Sequence, residues 1–595
     1  MGYEPSGQSF EPIDLHFARF ITQLAGSTRP EVDLAAALLS RFSREGHTCL
    51  DLNEPMAGLG GEEAPGTDLP APAAMIAIVR SCPVVGSPGD CRPLILDGAG
   101  RLYLYSSFMS EQLLAEGLLR LNEEIRPFHG SLLGGSLARL FADEGFPQKT
   151  AAVIAATRSL CVITGGPGTG KTTLVTRILA LLLEQEPDLK IVLAAPTGKA
   201  ARRIVESVQR GVGALDCSQE VREKIPREAS TIHRLLGYMP GASRPRRHAG
   251  NPLRADVAVI DEASMADLAL MSNLVAALEP GTRLILLGDK NQLASVAAGY
   301  VLGDICDVGV THAYSQSFAD RVEQITGGTI TSGGEPGMQD SLVELTKTYR
   351  FSKDSPIYAL STAVNDGDAA QCLGMLHSGT GPELKARDLP QPDGLRRELR
   401  DVLVRGYGGY LTTHDPYECL RLFDAFRVLC PVRHGPWGVK AMNSMAEEIL
   451  ASEGLLDPSG LHYRGRPILV MENDYTLGLF NGDTGIVIDH GGDLRACFPD
   501  RDGSVRMISP MRLPGHETAF AMTVHKSQGS EFDRVLLILP DRDSPVLTRE
   551  LVYTGITRAR SVLEIWAGDG VFAQAVSRRT ERSSGLSSLL WGKRS

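Results

Sequence analysis

Two kinds of hydrophobic pattern alternate along most of this chain. Short unbroken apolar runs, Leu160–Ile163, Ile191–Ala194, Val257–Ile260 and Leu284–Leu287, are separated by stretches with apolar residues at three- and four-residue spacing, such as Thr172–Glu184, Ala200–Gln209 and Asp267–Leu278. A run that is apolar at every position suits a strand buried on both faces, and the spaced segments suit amphipathic helices. The alternation predicts an α/β fold with a doubly wound parallel sheet. A second block of the same kind follows residue 350, with strands expected at Val428–Cys430, Val535–Leu539 and Leu563–Trp566. Within it, 466–512 carries short β-like runs with Asn481-Gly482 and Gly491-Gly492 turns, which predict a small inserted β barrel.

The beginning of the chain reads differently. Residues 12 to about 52 show helical spacing, Pro55–Ala74 reads as a flexible Gly/Pro/Ala-rich loop, and Pro93–Gly98 followed by Arg101–Tyr105 has the form of a β hairpin. The pattern divides the chain into 1–115, suited to docking rather than catalysis; 116–350, with a small insert near 238–255; and 351–595, with the barrel near 460–515. Composition changes this picture little. Hydrophobic residues are 43% and charged residues 22% of 595, as in globular proteins, and no apolar run approaches the ~18 residues needed to span a membrane. With no basic-then-apolar leader in Met1–Glu11, a cytoplasmic location is expected. The ten cysteines include no Cys-x-x-Cys pair and read as reduced, mostly buried thiols. A net charge of -11 argues against indiscriminate DNA coating but leaves room for local basic tracks.

The chemistry begins at Gly165-Gly166-Pro167-Gly168-Thr169-Gly170-Lys171-Thr172, followed by Thr173. It fits the phosphate loop G-x-x-x-x-G-K-[ST] between a strand and a helix, so backbone N–H groups and a helix N-terminus can cradle the phosphates of ATP or GTP. Lys171 is expected to reach the β- and γ-phosphates and the Thr172 hydroxyl to bind Mg²⁺. Asp261-Glu262 ends the Val257–Ile260 run, where one carboxylate can hold Mg²⁺ and the next orient the attacking water. Gln292, after the next strand, can bond both the γ-phosphate region and an opposite lobe. Arg350 and Arg558 are candidates to reach the γ-phosphate from elsewhere, which would make hydrolysis depend on cleft closure.

Those residues, in that order, resemble a superfamily-one helicase, and Asp261-Glu262-Ala263-Ser264 with Met522–Phe532 look like its 5′→3′ branch. The likeness extends to the RecD family, the α subunits of RecBCD enzymes (exodeoxyribonuclease V). It is carried by Gly46-His47-Thr48-Cys49-Leu50, by the phosphate loop, by Leu477–Gly485, by Arg549–Thr554 and by Arg579–Leu586. The resemblance implies two RecA-like motor domains and a mainly helical N-terminal domain. It implies that Gln148 reads adenine, and that Pro196, Thr197, Lys199, Thr231, His233, Thr523 and His525 lie along a single-stranded DNA track. Short hydroxyl, backbone and basic groups suit binding without sequence preference. RecB-like and RecC-like partners are implied as well. One departure is Ser106-Ser107-Phe108, where the family is expected to carry an aromatic pair with Trp.

Three readings stay open on the residues: a helicase subunit acting at double-strand breaks, a stand-alone 5′→3′ helicase, and a regulatory ATPase that moves no DNA. The lack of room for an N-terminal helix-hairpin-helix region favours the subunit, and a second motor block favours a motor over a switch. No nuclease cluster is expected in this chain. The basic loop Arg244-Pro245-Arg246-Arg247-His248 is either DNA-facing or simply solvated.

Overall fold

The structure is a computed structural model that describes residues 10–26, 29–54, 70–239, 244–308, 312–352, 354–378, 381–474, 476–500 and 504–592. Most of the loop expected at Pro55–Ala74 lies outside the described residues; its end begins the helix Pro72–Arg80.

The first α/β lobe is built on six parallel strands. Their order across the sheet is Leu342–Leu345, Leu160–Gly165, Arg283–Gly288, Val257–Ile260, Ile191–Ala195, Ser230–Thr231. The apolar runs are continuous because each strand feeds two cores. Cys161, Ile163, Val259 and Ile285 pack into one layer, while Leu160, Val162, Ala258 and Leu284 pack into the other. Each fully buried aliphatic side chain contributes roughly 1.5–3 kcal/mol. The phosphate loop, Asp261-Glu262, Gln292 and Pro196–Lys199 each follow the carboxyl end of one of these strands, the rim where open parallel sheets bind ligands, whereas Gln148 lies on the helix before the first of them.

A second sheet, also parallel, runs Leu384–Arg387, Ala559–Trp566, Phe532–Ile538, Phe426–Cys430, Ala521–Thr523. Inserted before its last-ordered strand in that sequence is a five-stranded antiparallel sheet formed by Pro467–Val470, Thr484–His490, Asp493–Pro499, Val505–Ile508 and His516–Thr518. This is the expected β insert, but among the described residues its two end strands share no ladder, so the pairing is that of an open sheet.

At the N-terminus, helices Pro12–Ala25 and Pro30–Arg44 pack together. The helical reading runs too far, because Cys49–Asp51 is a strand paired antiparallel with Arg101–Leu104, which forms the expected hairpin with Leu94–Leu96. Among the described residues no helix is long and apolar enough to cross a membrane.

Candidate functional site: a two-lobed phosphate cleft and a groove behind it

The phosphate loop leaves strand Leu160–Gly165 and enters helix Lys171–Gln185. Gly168 has φ +79, and a Cβ there would lie 2.4 Å from Arg350 Cβ, so both backbone conformation and close approach require glycine. Lys171 Nζ donates to the carbonyls of Gly165 (2.5 Å) and Gly166 (3.1 Å), which holds the ammonium group at the mouth of the loop. Thr172 and Thr173 line the same cleft, opposite Asp261, Glu262 and Gln292.

The acidic side of the cleft is strained and desolvated. Glu262 has φ 51, the one non-glycine residue with positive φ among those described, a conformation that costs on the order of 1–3 kcal/mol and recurs at functional sites. Burial, with the neighbouring Glu262 carboxylate, pushes Asp261 up to about 6. Buried Asp289 accepts from Gln292 Nε2 (3.0 Å) and from the Tyr553 hydroxyl (3.0 Å), which comes from the second lobe.

The second lobe closes the cleft. Glu531 accepts from Arg350 Nη2 (2.5 Å) and from Arg203, and Arg560 Nε lies 3.3 Å away. Burial alone would raise the Glu531 carboxyl, but the Arg203 and Arg350 guanidinium groups outweigh it and hold the group at about 2. Arg558, only 2% exposed, lines the cleft while donating to the carbonyls of Thr554 (3.1 Å) and Ser530 (3.1 Å). Arg350 leaves the edge strand of the first sheet, so its ion pair with Glu531 ties one lobe to the other. A further tie is Leu293, whose N–H donates to Thr554 Oγ1 (3.0 Å) and whose carbonyl accepts from Gln528 Nε2 (2.9 Å).

Behind the cleft lies a groove, also shared by the lobes. Pro196, Thr197, Lys199, Thr231 and His233 line it from the first lobe, and His525, Lys526 and Gln528 from the second. The Thr197 and Thr231 hydroxyls cap helices, accepting from Ala200 N–H and Arg234 N–H (both 3.2 Å). Met239 and Val296 add apolar surface, being 66% and 77% exposed. Asn473, Asn481 and Gly482 bring the β insert to the groove, where Lys526 Nζ donates to Asn481 Oδ1 (2.7 Å). The insert is latched to the first lobe by Arg202, which donates to both Asp483 carboxylate oxygens (2.9 Å each).

Comparison with known proteins bears on this geometry. Three family models match: the RecBCD enzyme subunit RecD N-terminal domain over 7–103, an AAA domain over 148–298, and a UvrD-like helicase C-terminal domain over 518–563. The RecBCD enzyme subunit RecD of Mycolicibacterium smegmatis is 38% identical, covering 98% of this chain and 98% of its own. The chain belongs to the RecD family. Its likeness to the RecBCD enzyme subunit RecD of Haemophilus influenzae is 35% over 82% of this chain and 80% of that one. The ATP-dependent RecD2 DNA helicase of Deinococcus radiodurans is 32% identical over 78% of this chain but 54% of its own length.

In this RecD-family chain, the cleft gathers Lys171, Asp261, Glu262, Gln292, Arg350 and Arg558 around the phosphate loop. Gln148 sits outside that lining, buried in the first turn of Phe146–Thr157, with its carboxamide nitrogen 3.5 Å from the Tyr349 hydroxyl. Two expectations are corrected. Thr523 lies outside the groove lining; its hydroxyl accepts from Lys526 N–H (3.2 Å), as those of the groove-lining Thr197 and Thr231 accept from N–H groups three residues on. Gln292 does not itself bridge the lobes; its side chain is held by Asp289, and the bridge is made by Leu293 and Asp289. The basic loop is folded on itself, with Arg247 Nη1 on Asn251 and Pro252 (3.2 Å each), and does not line the groove. Sequence reading missed Arg203, Tyr553, Lys526 and Asn481. The arginine pair Arg202-Arg203 was the available signal, since two adjacent cations early in a helix after a strand end face different neighbours.

Proposed function

We propose that this chain is an ATP-dependent 5′→3′ DNA translocase and helicase, the RecD-type subunit of a RecBCD-like helicase-nuclease that processes double-strand breaks. Its partners in this reading are DNA and RecB-like and RecC-like subunits, with 1–115 as the docking domain and the cytoplasm as location. One observation carries the reading: two short segments each line both sites. In 196–210, Pro196–Lys199 face the groove while Ala200, Arg203, Ser207 and Arg210 face the cleft; in 525–531, His525, Lys526 and Gln528 face the groove and Glu531 the cleft. A change in the phosphates therefore moves the floor of the groove, which a motor requires and a simple switch does not.

In the proposed cycle, the glycine-loop amides and Lys171 bind the phosphates, Glu262 orients the attacking water, and Arg350 and Arg558 meet charge developing on the γ-phosphate. Gln148 and the Tyr349 side take the base, and Gln292 reports on the γ-phosphate through Leu293. The Thr172 hydroxyl and Asp261 carboxylate would hold Mg²⁺, being the hard oxygen donors it takes. Two adjoining carboxylates on one side of the cleft, the buried Asp261 and its neighbour Glu262, fit such a cation; when bound, it would neutralise phosphate charge. Nuclease action is assigned in this reading to another chain of the complex. Pro196, Thr197, Lys199, Thr231, His233 and His525 contact the DNA strand.

Two outcomes are expected here. A duplex with a 5′ single-stranded tail is unwound with ATP and one with only a 3′ tail is not; unwinding from the 3′ tail alone would contradict the polarity. Glu262→Gly relieves the left-handed strain while removing the water-orienting carboxylate. Phosphate release should fall by about 10²-fold or more, while the thermal midpoint holds or rises. A lowered midpoint with turnover intact would reverse both assignments.

A further inference from the structure

Two segments distinctive in the sequence, Gly46–Leu50 and Arg579–Leu586, take part in neither the cleft nor the groove, yet they pack against each other. After helix Asp569–Ser577 the chain returns across the first lobe. Ser583 N–H donates to His47 Nδ1 (2.9 Å) and its carbonyl accepts from Thr48 N–H (3.0 Å). Gly585 N–H reaches Glu111 (3.1 Å), and Leu586 and Leu590 are buried in a first-lobe core. Midway along this strap, Arg582 Nη1 donates to the carbonyls of Ala297 (3.1 Å) and Gly299 (2.8 Å), while Gly299 N–H donates to Gly46 O (2.9 Å). The guanidinium lies flat on Gly46, where φ is +97 and a Cβ would sit 2.6 Å from Arg582 Cζ. That close approach explains the glycine.

The loop pinned in this way, 293–299, joins the two sites. It follows Gln292, which lines the cleft, and presents Val296 to the groove; its start is held by Thr554 and Gln528 of the second lobe. Only its far end depends on the strap. We infer that Arg582 is a positioning residue that fixes the groove wall at Val296 relative to Gln292, and so sets how strongly DNA and nucleotide sense each other. The inference rests on the proposed motor function. It also gives the N-terminal domain a route to the motor, because the Gly46–Thr48 turn completes the clamp.

The test compares the full chain with R582A and R582K. Hydrogen exchange of the 293–299 amides reads the loop without reference to activity, and single-stranded-DNA-stimulated ATP turnover reads the coupling. Exchange in 293–299 should rise, and the half-saturating DNA concentration should rise about tenfold in R582A. R582K should fall between, because an ammonium group keeps the charge but lacks the planar fork. Turnover without DNA and the KM for ATP should stay within about twofold. If R582A does not fold, R582K decides alone. Unchanged exchange, raised exchange with an unchanged DNA requirement, or basal turnover falling in step with stimulated turnover would each overturn the inference. A wild-type chain that DNA does not stimulate would refute the motor reading instead; exchange together with anisotropy of a labelled oligonucleotide would still judge Arg582.

Discussion

Lys171→Ala is expected to leave no measurable ATP turnover, with or without single-stranded DNA. Among the described residues Lys171 is the lysine lining the cleft, and its ammonium group is already held at the loop by two carbonyls, 2.5 and 3.1 Å away. It needs to move only a short distance to reach a β- or γ-phosphate oxygen. Removing a preorganised donor of this kind costs about 10²–10³ in rate where charge develops, and loss of phosphate affinity adds to that. The carbonyls it leaves sit beside a solvent-reaching cleft, so the fold should survive. Phosphate-release rates and thermal melting on the same preparation check both parts; turnover within tenfold of wild type would remove Lys171 from the chemistry.

Arg350→Ala is expected to lower kcat by about 10³-fold with little change in the KM for ATP, the signature of a cation that acts on the transition state more than on the bound nucleotide. The structure makes this a clean substitution. Glu531 keeps Arg203 and Arg560 as partners when Arg350 is removed, so no buried carboxylate is stranded. Arg350 leaves one long carbonyl contact, to Thr557 (3.4 Å), whereas Arg558 is less suitable because it satisfies the carbonyls of both Thr554 and Ser530 (3.1 Å each). Steady-state kinetics over a range of ATP concentrations separates the outcomes, and a rise in KM at unchanged kcat would make Arg350 a simple binding residue.

Much of the motor was legible in the sequence, for identifiable reasons. The strands Leu160–Gly165, Val257–Ile260 and Arg283–Gly288 are buried on both faces, and such strands leave unbroken apolar runs. The phosphate loop is a local device, complete within eight residues. What escaped is non-local or short. Arg203 and Glu531 meet across 328 residues, and an arginine on the polar face of an amphipathic helix reads as solvent-facing. Cys49–Asp51 has three residues, too few for a period-two pattern, and follows a helix whose rhythm it continues. Thr523 fits a DNA contact by type, but residue type does not fix position, and Thr523 lies outside the groove lining. Gln292 lines the cleft, while the lobe-to-lobe bond it was expected to make belongs to the backbone of its neighbour.

Cooperation between the lobes follows from short connections. The same helix, Gly198–Val212, carries Arg202 to Asp483 in the β insert and Arg203 to Glu531 beside the phosphate loop. A phosphate that draws Arg350 from Glu531 alters the second of these contacts directly and the first through a rigid helix. Coupling between sites is reciprocal in binding free energy, so it can be measured from either side.

The most direct test is the affinity for a labelled single-stranded oligonucleotide, measured with and without a non-hydrolysable ATP analogue, alongside the affinity for the analogue with and without DNA. The two ratios should be equal and depart from one by about 5-fold or more, and Lys171→Ala should abolish both. Ratios of one in the wild type would mean that cleft and groove are independent sites on one surface.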